Sequence, residues 1–438
     1  MKVFLTLMML FMATAVQADQ EDRVVIDIHK ATERKYAVAV PPFLTGPGVD
    51  EAVARQAAQL LEWNLNFSGV FETVDTGPWL RQAEDDTIDA PNYTAWRMSG
   101  AVALVRARID KRDDGGHTVE FRFHDPVQAK PLTLPSGALG KRYQVGADLA
   151  PAVHAFANVL MKSFNVEGGP FGTRVAFEYR KPKTTRKDLW VINLDGTGLQ
   201  PLTQNNMLNL GPAWSRDGRY IAYTSYKRRN PDLFLMDLET GSDKPLSTRT
   251  GSNSGPSFSP DGKHVIASLS FEGNPNIYLL NFDGEIVKRL TNTASIDIQP
   301  SYSPDGKHIV FTSDRIGNPN IFIMDAEGRN VRRLTDTGRY NASPAWSPNG
   351  EWIAFASRDD GNIWVTRTDG SETRRVTNGE GFNEDPSWSP DGRYVVFSSN
   401  RKGTYDIWAA DTISGTVTQI TNLPGDERRP SWGPSYIQ

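Results

Sequence analysis

Pro256-Ser257-Phe258-Ser259-Pro260-Asp261-Gly262 decides the fold, because it is one copy of several. The pattern of Pro, a small residue, an aromatic and then Ser-Pro-Asp-Gly starts again at Pro212, Pro300, Pro344 and Pro386, with small departures, and incompletely at Pro430. The steps between copies are 44, 44, 44, 42 and 44 residues. A second marker keeps the same phase: Asp188-Leu189-Trp190, Asp232-Leu233-Phe234, Asn276-Ile277-Tyr278, Asn320-Ile321-Phe322, Asn362-Ile363-Trp364 and Asp406-Ile407-Trp408. Each unit holds four apolar runs of strand length, the last ending in a pair such as Leu290-Thr291, with turn residues between them. Pro-Asp-Gly suits a tight turn: Pro fixes one dihedral, Asp bonds the local backbone and Gly accepts positive φ. Four short antiparallel strands at this period make one propeller blade, whereas a helical repeat would carry a 3.6-residue pattern that is missing.

Residues 174–438 therefore read as an all-β propeller of six four-stranded blades. The ends are out of step. Residues 174–203 hold the last three strands of a unit, and Pro430-Ser431-Trp432 holds a first strand alone. The simplest closure places that C-terminal strand innermost in the blade begun at Arg174.

Residues 19–165 lack the repeat and read as an α+β domain. Val24–Ile28, Tyr36–Val40 and Val70–Val74 are strand-like; Ala101–Ile109 and Val119–Phe123 flank the hairpin signal Asp113-Asp114-Gly115-Gly116. A helix starts at Asp50 or Glu51 and stops at Ser68-Gly69, and a second carries Leu149, Val153, Phe156, Leu160 and Phe164 on one face. Residues 166–173, with Gly168-Gly169-Pro170, read as a linker.

Met1–Ala18 has the form of a cleaved secretory signal: Lys2, an apolar core over Val3–Val16, and Val16-Gln17-Ala18 before Asp19. The apolar run is shorter than the ~20 residues a membrane span needs, and no later segment is long enough, so a periplasmic protein is expected. With no cysteine in the chain, disulfides, thiol catalysis, thiolate metal sites and lipid attachment to a cysteine are excluded. Removing the signal takes one lysine, leaving 47 basic against 52 acidic groups and a net charge of −5, which gives no nucleic-acid signature.

No catalytic motif emerges. Gly-x-Ser-x-Gly is absent; its nearest approach, Gly251-Ser252-Asn253-Ser254-Gly255, has Asn at the centre. The six histidines have no metal-type spacing. Three residues before each repeat proline stand Asn209, Asn253, Asp297, Asn341, Asn383 and Glu427. On an innermost strand these positions would ring one mouth of the channel, where their oxygens could hold Ca²⁺, with Asp297 and Glu427 as carboxylate ligands. They could equally shape the incoming loops through backbone hydrogen bonds.

The order of signal, small α+β domain and six blades resembles the TolB family over nearly the whole mature chain. Val24-Val25-Ile26-Asp27-Ile28, Ala37-Val38-Ala39-Val40-Pro41-Pro42-Phe43 and Gly46-Pro47-Gly48 are similar to that family's opening. The resemblance implies a non-enzymatic, monomeric adaptor of the Tol-Pal envelope system that supports outer-membrane integrity and constriction at division. It implies binding of the lipoprotein Pal through the propeller face that carries Asn209, Ser252, Asn253, Asp297, Ile298, Asn341, Asn383 and Glu427. It also implies contact with TolA through Asp19, Glu21, Arg23, Val24, Val25, Ile26 and Asp27, and, by analogy, capture of colicins at the Pal face. A propeller enzyme, or a carbohydrate- or peptide-binding module, is the alternative. Net negative charge and oxygen-rich loops lead to the expectation of a basic or hydrogen-bonding patch on the partner.

Overall fold

The Ser-Pro-Asp-Gly turns are built as their residues dictate. In the computed structural model, which describes residues 35–164, 166, 168–336 and 338–437, Ser259 Oγ donates to Asp261, and Asp261 accepts from Lys263 N while Gly262 sits at φ +68°. Ser303 with Asp305, Ser347 with Asn349 and Ser389 with Asp391 repeat the arrangement. The expected signal, the strand expected at Val24–Ile28 and the segment expected to contact TolA lie outside the described residues.

Each turn reverses an inner strand into a second strand whose central residues are apolar on both faces. Ile309, Val310 and Phe311 are all fully buried, as expected of a strand covered on both faces by neighbouring blades. The second sequence marker acquires a reason in the third and fourth strands: Thr291 Oγ1 accepts from Ile277 N and donates to Asn276 Oδ1. The same buried contact recurs between Thr377, Ile363 and Asn362.

Five blades are consecutive in the chain, for example Asn209–Trp214, Tyr220–Ser225, Asp232–Asp237 and Asp243–Ser247. The first blade is Thr173–Arg180, Asp188–Asn193 and Gln200–Pro201, with Asp426–Ser435 as its innermost strand. Asp426 pairs with Arg180 and Trp432 with Val175, so the ring is closed by the C-terminal strand as expected.

In the N-terminal region, β1 (Tyr36–Ala39), β2 (Leu44–Thr45), β3 (Phe71–Thr73), β4 (Ala103–Lys111), β5 (His117–Asp125), β6 (Lys130–Pro131) and β7 (Gly140–Val145) form one mixed sheet. Its path is β3-β1-β4-β5-β6, with β2 added to β4 and β7 to β5. Helix α1 (Glu51–Phe67), capped by Asp50 accepting from Ala52 N, packs beside α2 (Ala150–Ser163). Leu61, Leu65, Val153, Phe156 and Leu160 share a core with Val105 and Phe121 of the sheet.

That core does not stop at the propeller. Phe67, Phe171, Phe177, Tyr394 and Trp432 belong to one continuous apolar cluster. The Tyr394 hydroxyl donates to Ser68 O at 2.8 Å, and His154 Nε2 lies 3.4 Å from Asp195 Oδ2. Phe171 and Thr173, in the stretch read as a linker, are buried. The N-terminal region thus seats on the Ser-Pro-Asp-Gly side of the sixth and first blades. Among the described residues no helix is long and apolar enough to cross a membrane.

Candidate functional site

Where the inner strands begin, each ladder slips. In the fourth blade Ile298 faces Thr312 but Ser301 faces Val310, so Gln299 and Pro300 together oppose one residue, a β-bulge. The same slip occurs in the other five inner strands. The residue immediately before the proline takes up the distortion with positive φ: Gly211, Gly255, Gln299, Ser343, Asp385 and Arg429 lie between 49° and 62°.

These six residues, rather than the six expected ones, meet around the channel. Gln299 Nε2 donates to Ser343 Oγ at 2.9 Å, Ser343 Oγ donates to Asp385 at 2.8 Å, and Arg429 Nε lies 4.0 Å from Asp385. Across the ring Glu178, fully buried, accepts from Gly211 N, Arg429 Nη1 and Lys187 Nζ. Two glycines leave one side of the ring without side chains. A cavity of about 240 Å³ opens at this mouth, lined by Ile298, Tyr340, Arg358, Glu384, Arg428 and the ring residues Gln299 to Arg429.

Asn209, Asn253, Asp297, Asn341, Asn383 and Glu427 are instead enclosed in the seams between blades. Asn253 Nδ2 donates to Pro231 O, Asn383 Nδ2 to Gly361 O and Asn209 Nδ2 to Lys187 O, each a carbonyl of the preceding blade. Asn341 Nδ2 lies 3.3 Å from Asn320 Oδ1 of the preceding blade. Their role here is the loop-shaping one. Ser252 and Ile298 are half-buried at the mouth.

The calcium expectation does not fit. Asp297 and Glu427 belong to the fourth and first blades, on opposite sides of the ring. Asp297 is bonded to the Arg315 guanidinium at 2.9 Å and to Thr293. Glu427 faces the Asp406 carboxyl and takes the Thr421 hydroxyl at 3.0 Å. Burial, reinforced by Asp406, pushes the Glu427 carboxyl up to about 8. No group of three or more metal-ligating carboxylates or histidines occurs among the described residues.

Charge at the mouth also departs from expectation. Lys187, Arg358, Arg428 and Arg429 stand against Glu384 and Asp385 in the cavity wall. Glu384 bridges Arg358 and Arg428, each at 3.4 Å, and Arg428 stacks 3.5 Å over Tyr405. On the same face Met207, Ile296 and Phe382, in the loops that lead into the inner strands, are 44%, 42% and 55% exposed. The mouth is arginine-rich with an apolar margin, the composition typical of contact surfaces.

A family model for the TolB β-propeller domain matches residues 162–436, well over half the chain. The chain belongs to the TolB family. The model for the TolB amino-terminal domain matches residues 24–132. Relatives named Tol-Pal system protein TolB include one from Nitrosomonas europaea, 32% identical over 51% of this chain and 48% of its own length. Another, from Syntrophotalea carbinolica, is 35% identical over 50% of each chain. The chain spans about half the length of the curated relatives it matches. The crystal structure of TolB from Acinetobacter baumannii superposes with a TM-score of 0.81 at 27% identity, covering 92% of this chain and 97% of that one.

The TolB propeller motif thus accounts for the fold, while the mouth is lined by residues that differ from blade to blade. The bulge residues were missed because strict strand alternation says nothing of an extra residue. One signal was available: at the position before the repeat proline, Gly, Gly, Gln, Ser, Asp and Arg differ widely, whereas three positions before that proline all six are Asn, Asp or Glu.

Proposed function

We propose that this TolB-family protein is a non-enzymatic periplasmic adaptor that binds Pal at the channel mouth and engages TolA through residues 19–27. The observation that carries the reading is the division of the propeller's two faces. The N-terminal region occupies the Ser-Pro-Asp-Gly side at the sixth and first blades through Tyr394, Trp432 and Asp195. The mouth keeps its exposed Met207, Ile296 and Phe382 beside Arg358 and Arg428.

Rigid blades hold these loops at fixed geometry, which limits the ordering cost of association. Phe382 and Ile296 supply apolar area, and the guanidinium groups supply directional donors to carboxylates or carbonyls on Pal. The electrostatic expectation reverses accordingly: the partner's contact patch is acidic. Exchange of Pal at this mouth, with TolA held by the N-terminal segment, would couple the two partners in maintaining the outer membrane and its constriction. Colicins would compete for the same loops.

The test is isothermal titration of the mature protein with the soluble domain of Pal from the same bacterium. Saturable binding at micromolar or tighter affinity, weakened at least tenfold by Phe382→Asp, is expected. Absence of heat at high concentration would refute the adaptor reading.

A further inference from the structure

The six seams between blades repeat one construction, so one seam can be read from another. On the Ser-Pro-Asp-Gly side, each brings together three groups. They are the second-strand residue after the turn, its cross-strand partner at the end of the third strand, and the aromatic that ends the next blade's inner strand. At the sixth–first seam the groups are Tyr394, paired with Asp411, and Trp432.

That seam is filled by the end of α1. The Phe67 ring lies 5.2 Å from Tyr394, and Ser68 O accepts the Tyr394 hydroxyl. Gly69 follows at φ +68°, and a Cβ there would lie 3.0 Å from Asp411 Oδ2. The docking element is therefore an aromatic followed by two small residues at a helix end, which lets the backbone approach closely.

At the fourth–fifth seam the equivalent groups are His308, paired with Asp325, and Trp346. His308 is exposed and stacks on Trp346, ring centroids 6.2 Å apart at 29°. A groove of about 670 Å³ opens there, with Ile323 and Met324 in its wall and Asp305 and Asp369 at its margin. Two other seams are closed by their own side chains. Phe282 lies 5.5 Å from Tyr220 and 5.9 Å from Phe258 in the second–third seam. Arg374 stacks 5.1 Å over Trp352 and donates to Thr412 O in the fifth–sixth.

We propose that the fourth–fifth groove is a second docking site, taking from a partner protein the element that α1 presents to the sixth–first seam. An aromatic side chain packs in the groove against the stacked His308–Trp346 pair, and the following backbone carbonyl accepts a hydrogen bond from the His308 ring. Asp305, Asp325 and Asp369 against Arg332 favour a partner with basic residues flanking the aromatic. The groove lies one strand length, ~20 Å for six residues, from the mouth. Both can then be occupied at once.

The experiment uses the full mature chain with ¹⁵N-labelled tryptophan. The probe is a capped peptide with the sequence of residues 63–70, whose own seam is already occupied within the protein. A saturable shift of the Trp346 indole resonance is expected. Binding should weaken about tenfold with the His308→Ala protein and with a peptide carrying alanine in place of Phe67, since an aromatic contact is worth up to about that factor.

The proposal is overturned by no shift at millimolar peptide, by a shift indifferent to both changes, or by a shift at Trp432 instead. It is also overturned if an N-acetylglucosamine oligomer displaces the peptide, which would make the groove a glycan site. Because Pal is absent from the experiment, none of these outcomes bears on the adaptor reading.

Discussion

Replacing Glu427 by Gln tests the closing seam directly. In the other seams the residue three before the repeat proline meets the marker of the preceding blade as a pair with at least one amide, such as Asn362 with Asn383. Only the sixth–first seam pairs two carboxyls, Asp406 and Glu427, 3% and 0% exposed. Burial and the Asp406 carboxyl raise Glu427 from an ordinary 4.5 to about 8, so the folded ring holds a proton that the unfolded chain releases. Stability from this proton is complete below about pH 4.5 and is lost as the pH rises toward 8. Between the ordinary value of 4.5 and pH 7, at ~1.4 kcal/mol per pH unit, the retained proton costs ~3 kcal/mol. Glu427→Gln removes that cost while keeping an oxygen for the Thr421 hydroxyl. In calorimetry from pH 5 to 8 the wild-type melting temperature should decline and the variant's hold steady, with the variant higher by ~6 °C near pH 7, at ~2 °C per kcal/mol for a domain of this size. A variant that melts lower than wild type at pH 8, or a wild type insensitive to pH over this range, would refute the shared proton.

Deleting residues 426–438 leaves the first blade without its inner strand and Glu178 without Arg429; cooperative melting of the whole propeller should be lost, and an unchanged melting curve would sink the closure argument. Tyr394→Phe strands the buried Ser68 carbonyl and should cost ~1–3 kcal/mol in denaturant unfolding, with an unaltered midpoint counting against the bond. Phe382→Asp should leave stability within ~0.5 kcal/mol while weakening Pal binding, which separates a contact residue from a structural one. Burial raises Asp195, but the His154 ring 3.4 Å away and hydrogen bonds from Thr197 outweigh it and hold the carboxyl below its usual range. The stability it contributes is therefore present above about 3.8 and lost on acidification, so Asp195→Asn should lower the melting temperature at pH 7 and lose that effect toward pH 3.

The propeller was legible because turn chemistry and strand length repeat together: Pro260-Asp261-Gly262 and Asn276-Ile277-Tyr278 each specify a local conformation that six copies enforce. The helices were legible from their stripes and from caps such as Asp50. The channel lining was not, since a bulge at Gln299 or Arg429 moves the channel-facing position by two residues without altering composition. The docking of α1 on the sixth–first seam was equally hidden. Phe67 and Tyr394 satisfy ordinary core patterns in their own elements, and only the folded chain joins them.

Ring closure carries a consequence for how the molecule is made. Tyr179 and Pro424, 245 residues apart, are hydrogen-bonded within the first blade, so that blade lacks its inner strand until nearly all of the propeller has been delivered. A chain threaded N-terminus first, through a ribosome tunnel or a translocation channel, cannot finish its first blade early. Nor can the apolar cluster around Phe67 and Trp432 be completed before that strand arrives. The seam at the two ends of the repeat array is therefore completed only once the last strand of the chain has been delivered.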